Sequence, residues 1–355
     1  MSHVRWIPGA AAAILALLAL AGRAESADPE RPLPPERSAY AALLPAYRPP
    51  APAEHPADNA LTPERRALGK LLFFDPRISG NGRIACATCH VPSHGWSEPR
   101  PLAVGAAGHA LPRRTQTVLN TAWASALFWD GRAETLEQQA LGPIEAPGEM
   151  NMPIGRLEAT VNAIPGYRAL FRRAYGADSI TAGTVARAIA QFERTVVSGP
   201  APFDRWVAGD ERAVSAEAKR GFVLFNGKAR CAQCHAGWRF TDDSFHDIGV
   251  PVRDAARADS GRGALVPGVE ALAFAFKTPT LRQVAERAPY LHDGSAATLA
   301  AVIDLYDRGG DARRPSLSPE IRPLGLTAAE KRALVAFLRT LSSRDTVVAP
   351  THFPR

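Results

Sequence analysis

The sequence predicts a mainly α-helical protein built from two similar halves. Three observations lead there: helix-start signals are frequent, strand-like alternation is scarce, and one short motif occurs twice. With 355 residues, 46% of them hydrophobic, the chain is long enough for two domains with cores of their own. The repeated motif is CATCH at 86–90 and CAQCH at 231–235, and it contains all four cysteines. In the first lead-in, LTPERRALGKLLFFDPRISGNGRI, Thr62 is a helix N-cap, Pro63 takes the first helical position, and Leu68, Leu71 and Leu72 form the apolar face. The second, VSAEAKRGFVLFNGKAR, is a shorter version with Ser215 as cap and Phe222, Leu224 and Phe225 as apolar residues. We read a duplication of one helix-then-motif unit. Near the end, LTAAEKRALVAFLRTL carries a capping box, Thr327 with Glu330, and an apolar face of Leu334, Phe337, Leu338 and Leu341, which closes the second half. The stretch VVSGPAPFDRW near residue 200 offers a linker, giving domains at 61–200 and 201–345 and a tail at 346–355.

Ahead of the first domain, His3 and Arg5 precede an apolar run from Trp6 to Ala21, followed by small residues around Gly22 and Ala24. This is the layout of a secretory signal peptide over 1–24, and the run is too short and Ala-rich for a membrane span. Export to the periplasm is the expectation, with an uncleaved anchor as the alternative. The Pro-rich segment at 25–60 disfavours regular structure and suggests an extended tether or a surface wrap.

The chemistry follows from what the cysteines bind. Structural zinc knuckles stand roughly 15–20 residues apart, and these pairs are far outside that range. A redox dithiol does not need His directly after both pairs. Haem c attachment does need that arrangement, with two thiols for the vinyl groups and an imidazole for iron. The expected architecture is therefore two cytochrome c-like domains, each with one covalent haem c held by Cys86/Cys89 or Cys231/Cys234. His90 and His235 are the proximal iron ligands. The opposite axial side then decides between electron carrier and catalyst. The methionines are Met1, Met150 and Met152, none of them beyond the second motif, so that domain supplies no His/Met haem of its own. The net charge of +7 comes from scattered Lys and Arg, two of them (Arg5 and Arg23) in the segment expected to be removed, and haem propionates would offset much of the rest. No dense basic block points to nucleic acid.

The segments LGKLLFFDPRISGNGRIACATCH, ALFWDGRAETLEQQALGPIEAPGEM, RCAQCHAGWRFTDDSFHDIG and FKTPTLRQVAERAPYLHDGSAATLAAVIDLYDRGG together resemble bacterial dihaem cytochrome c peroxidases, and more closely the MauG branch. The resemblance runs from about Leu61 to Leu341. It implies a peroxide-reacting first haem and a six-coordinate second haem that relays electrons. The second axial ligand lies seventeen residues after the Pro of the PY-HDG segment. Counting from Pro289 reaches Tyr306, in the place where peroxidases have Met and MauG-like proteins have Tyr. Tyr290 and His292 are the alternatives, with Tyr306 then a core aromatic. Ala106 falls where Met-type peroxidases carry a blocking His, so the resemblance implies an open first haem at rest; His94 and His109 lie nearby but are displaced. Glu149 matches the distal carboxylate, Gln139 a pocket amide, Pro143 a residue shaping the pocket, and Trp129 the aromatic between the haems. The family's interhaem calcium takes an Asn side chain where this sequence has Arg114, with carbonyls at Arg287 and Pro289. The substitution makes calcium doubtful and offers a guanidinium as the alternative occupant. The implied partners are hydrogen peroxide and either a small redox protein or a protein substrate that becomes modified. A dihaem electron carrier without catalysis is the competing reading. No motif identifies the donor or the oligomeric state.

Overall fold

One tight helix crossing organises each half of the molecule. The computed structural model describes residues 35–176, 179–252, 258–343 and 348–355, so the expected signal peptide lies outside the described residues. Helix α1 (Ser38–Ala41) and a 3-10 turn at Leu44–Tyr47 come first. The first half follows with α2 (Pro63–Phe74), α3 (Cys86–Cys89), α4 (Leu136–Glu145), α5 (Ile154–Asn162), α6 (Pro165–Tyr175) and α7 (Ala182–Arg194). The second half contains α8 (Pro202–Val207), α9 (Ala216–Asn226), α10 (Leu299–Asp307) and α11 (Ala328–Arg339). Among the described residues, sheet is confined to one antiparallel pair, β1 (Phe245–His246) with β2 (Phe276–Lys277), plus isolated bridges.

The helix starts fall where the caps predict. The Thr62 hydroxyl accepts from the Arg65 amide, Ser215 accepts from Ala218, and Thr327 and Glu330 form the reciprocal box. Helix α2 lies against α7 and α9 against α11, and each crossing turns on a glycine. A β-carbon on Gly69 would sit 1.8 Å from the Ala188 carbonyl oxygen, and one on Gly221 would sit 1.9 Å from that of Ala333. Only hydrogen fits at either point. The first core forms around Leu68, Leu72, Phe73, Val185, Ile189 and Phe192, with Tyr167 and Phe171 of α6. The second is dominated by rings: Phe203, Phe222, Phe240 and Phe337 pack with centroids 5.3–6.0 Å apart. Aromatic pairs in this range add about 0.5–1.5 kcal/mol each beyond area burial.

Three segments are more firmly placed than the sequence alone indicates. The described part of the Pro-rich region is no free tether, because Tyr40 and Tyr47 are buried in the second core and Asn59 is buried against α7. Pro fixes φ between these anchors, and the anchors themselves supply the binding. Within the expected linker, Pro202–Val207 is a helix whose Phe203 and Trp206 are fully buried, so the connection is confined to about 197–201. The C-terminal tail docks on the first half, with the Arg355 carbonyl accepting from Gly166 N (2.8 Å) and that of Pro354 from Arg77 Nη1 (2.9 Å).

Candidate functional site

Both CxxCH motifs open onto one interior cavity of about 1230 Å³, lined by Cys86, Cys89, His90, Cys231, Cys234 and His235. Drug-sized ligand sites run to about 300–1,000 Å³, so this space exceeds what a small molecule needs. The four thiols are unpaired with one another. The two histidines are held alike: His90 Nδ1 meets the Trp96 carbonyl at 3.3 Å and His235 Nδ1 meets that of Phe240 at 2.8 Å. An imidazole whose Nδ1–H is engaged by a carbonyl presents its Nε2 lone pair, which is how metal-ligating histidines are oriented. Burial lowers the His90 pKa to about 4 and also lowers that of His235, so both rings are neutral at physiological pH. Burial also pushes Cys89 and Cys231 up to about 12, which keeps them thiols in the absence of another partner. Unpaired thiols, oriented neutral imidazoles and a large shared cavity together fit two covalent haems.

The surroundings of the two motifs differ. Around the first, α4 turns Gln139 and Pro143 to the cavity, four residues apart on one helix face, and Glu149 reaches it from the loop after the helix. The Glu149 backbone is fixed on both sides, with its N–H donating to Ala146 and its carbonyl accepting from Ala106. Burial raises its carboxyl pKa, only partly offset by the positive charge of Arg132. It is close enough to Cys86 and Cys89 to perturb both electrostatically. His94 and His109 are not part of the cavity wall, and the wall contains Gly105 next to Ala106. Met150 and Met152 are buried in the first core, and Met150 also borders the cavity beside Glu149.

Around the second motif, α10 brings Tyr306 to the cavity beside Cys231 and Cys234, with burial raising the phenol pKa. The two alternative ligands have other attachments. Tyr290 Oη donates to the Val284 carbonyl at 3.0 Å. His292 stacks on Phe276 with ring centroids 3.7 Å apart. Trp129 also borders the cavity, edge-on to Phe276 and His292 at 6.4 Å each. Its indole N–H donates to the Arg114 carbonyl at 2.7 Å, and its own carbonyl accepts from Lys277 N of β2 at 2.8 Å. A first-half side chain is thereby fixed to the second half by its backbone.

Sequence reasoning missed Glu193. It is 3% exposed on α7, borders the cavity, and has one carboxylate oxygen without a hydrogen-bond partner. Burial raises its pKa to about 8. The available signal was weak: in AIAQFER it falls on the face that carries Ile189, where a helix packed on both sides leaves no solvent for a carboxylate.

Two covalent haem sites on a helical scaffold define a dihaem c-type cytochrome. The profile of di-haem cytochrome c peroxidases matches residues 63–212, and that of cytochrome c matches 218–342. The methylamine utilization protein MauG of Methylorubrum extorquens is 52% identical over 316 residues, 88% of each chain. The cytochrome c551 peroxidase of Nitrosomonas europaea is 37% identical over 287 residues, 80% of this chain and 82% of that one. A crystal structure of a MauG-like protein associated with microbial copper homeostasis superposes with a TM-score of 0.78 at 31% identity, covering 84% of this chain and 94% of the other. The chain belongs to the di-haem cytochrome c peroxidase/MauG family, and it is a haem-dependent peroxidase carrying two haem c groups.

Proposed function

We propose that this protein is a periplasmic, MauG-like dihaem peroxidase in which peroxide reacts at the first site, oxidising equivalents are shared with the second, and the electrons come from a protein donor. The observation that carries the reading is the asymmetry of the cavity: a protonatable carboxyl beside Cys86/Cys89, with an amide from α4 on the same cavity wall, and a phenol beside Cys231/Cys234. When bound, haem supplies an iron that takes peroxide as oxidant and exchanges electrons.

The chain's residues do the rest. Heterolysis of the O–O bond needs a proton moved from the near oxygen to the far one. Glu149 is suited to accept and return it, because its burial narrows the gap between its pKa and working pH. The Gln139 amide orients peroxide in the same pocket. Reduction of peroxide to two waters takes up two protons and two electrons. Trp129, held at both its indole and its backbone, offers a rigid aromatic path by which the second electron leaves the other site. Tyr306 would help hold the second haem, and a phenolate there would favour oxidised iron over the ferrous state, which would suit a site that holds an oxidising equivalent. The name of the Methylorubrum relative makes methylamine utilization the first context in which to seek the protein donor. Periplasmic export rests on the sequence of 1–24, and no described helix is long and apolar enough to cross a membrane.

Electron paramagnetic resonance of the ferric holoprotein tests this reading. One high-spin and one low-spin signal are expected, with the high-spin signal changing on addition of peroxide. Two low-spin signals inert to peroxide would establish an electron carrier instead.

A further inference from the structure

The two halves are joined by a buried cluster of carbonyl oxygens that converge on a side chain. Arg114 is 5% exposed. Its Nη1 donates to the Arg100 carbonyl at 2.7 Å, and its Nη2 donates to the carbonyls of Glu98 (2.7 Å) and Arg287 (2.9 Å), with Ser97 Oγ at 3.3 Å. Glu98 and Arg100 belong to the first half and Arg287 to the second. The backbone of Arg114 continues the junction: its N–H donates to the His292 carbonyl at 2.7 Å, and its carbonyl accepts from Trp129. The guanidinium forms no ion pair among the described residues, so carbonyl dipoles are its principal partners.

Backbone carbonyls converging from separate segments are the donor set of a hard divalent cation, and the family resemblance places calcium here. The residues present do not fit calcium. Calcium takes 6–8 oxygens at about 2.3–2.6 Å, whereas these oxygens already accept N–H donors from a group with its own positive charge. The Asn oxygen that would complete the set is replaced by donors only. A second buried cation, Arg287, lies in the same junction, hydrogen-bonded to the carbonyls of Gln283 and Thr280. Burial lowers both guanidinium pKa values to about 10, so both remain charged at physiological pH. A divalent ion entering would meet two like charges at low dielectric, and the buried Glu98 carboxylate nearby is already paired with Arg100 at 2.6 Å.

We propose that the Arg114 guanidinium is the resident cation of this junction, tying the two halves together and making the protein independent of calcium. The haem-loaded holoprotein, stripped with EGTA and titrated calorimetrically with calcium chloride, is expected to show no site with a Kd of about 10⁻³ M or tighter. Its ferric spectrum and thermal midpoint should be unchanged by EGTA or by millimolar calcium. Stoichiometric calcium binding by the wild-type protein, or a spectrum that EGTA alters and calcium restores, overturns the proposal. Arg114→Asn removes the internal cation and supplies an amide oxygen. That variant should unfold several degrees lower than wild type and regain stability with calcium, whereas Arg114→Lys should be less stable but unresponsive. An Asn variant as stable as wild type without calcium would show that the guanidinium does not hold the carbonyls, and would equally overturn the assignment. If the Asn variant does not load haem, the wild-type titration decides alone.

Discussion

The two halves share a proximal design and part company on the distal side. In each, a capped helix crosses a later one at a glycine, leads to CxxCH, and leaves the motif's His bonded through Nδ1 to a carbonyl five or six residues on. Beyond the histidines the chemistry diverges. The first half gives the cavity Glu149 and Gln139 from a loop and a Pro-containing helix, and the second gives it Tyr306 from an uninterrupted one. Duplication accounts for what attaches and orients a haem. On the proposed reading, the differing distal residues divide the labour, one site for reaction and one for storage.

The sharpest way to break that contrast is Glu149→Gln, which keeps the side-chain shape but cannot hold a proton as a carboxyl does. General acid–base groups contribute about 10²–10⁴ in rate, so stopped-flow spectra should show the peroxide reaction slowed by that order at unchanged haem content. Tyr306→Phe is the complementary change. It should alter the low-spin resonance of the second haem and leave the first haem's peroxide rate within about twofold. If Tyr306→Phe slows peroxide as much as Glu149→Gln does, the two sites are not separate in function.

What the halves share was legible in the sequence, because it is local. Thr62, Ser215 and the Thr327/Glu330 box announce helix starts within four residues, and each Cys-Cys-His motif is contiguous. The crossings were not read, although an isolated glycine inside a helical pattern at Gly69 and Gly221 is itself a packing signal. The docking of Tyr40 and Tyr47 in the second core, and of Pro354 and Arg355 on the first half, depends on partners far away in the chain, which no local pattern carries. The same holds for the Arg114 junction: the sequence supplied the substitution, but the converging carbonyls exist only in the fold. Distal residues such as Glu149 and Tyr306 came from resemblance alone, since a lone Glu or Tyr in a loop or helix has no distinguishing period.

The shared crossing can be tested by overpacking. Gly69→Ala and Gly221→Ala each force a methyl group against a backbone carbonyl, and inserting volume into a packed interface costs about 1–3 kcal/mol. Denaturant melts should show losses of that size or larger for both. The second-half variant should weaken the α9–α11 ring cluster while leaving the Glu149-dependent peroxide rate in place. A tolerated Gly221→Ala beside a damaging Gly69→Ala would mean that the duplication preserved the motif but not the packing.

The smallest expected effect concerns Glu193, a carboxyl of the first half that has no counterpart among the groups named for the second. A buried carboxyl with a pKa near 8 holds its proton in the folded state, whereas the unfolded chain releases it near 4.3. Between those values the folded protein binds more protons, so the sign follows from linkage: the contribution to stability is complete below about pH 4 and is lost as pH rises through about 8. Arg194 offsets burial only in part, because its guanidinium is already paired with Glu137 at 2.7 Å. Glu193→Gln supplies a neutral side chain of the same size at every pH. The variant should therefore match wild type near pH 4, gain on it as pH rises and level off above about pH 8, by a few degrees in thermal midpoint. The comparison belongs on the holoprotein, where haem fills the cavity that Glu193 borders. Midpoints of wild type and variant that run parallel from pH 5 to pH 9 would mean that the carboxyl is already ionised in the fold. Glu193 would then need a cationic partner in the haem-loaded state.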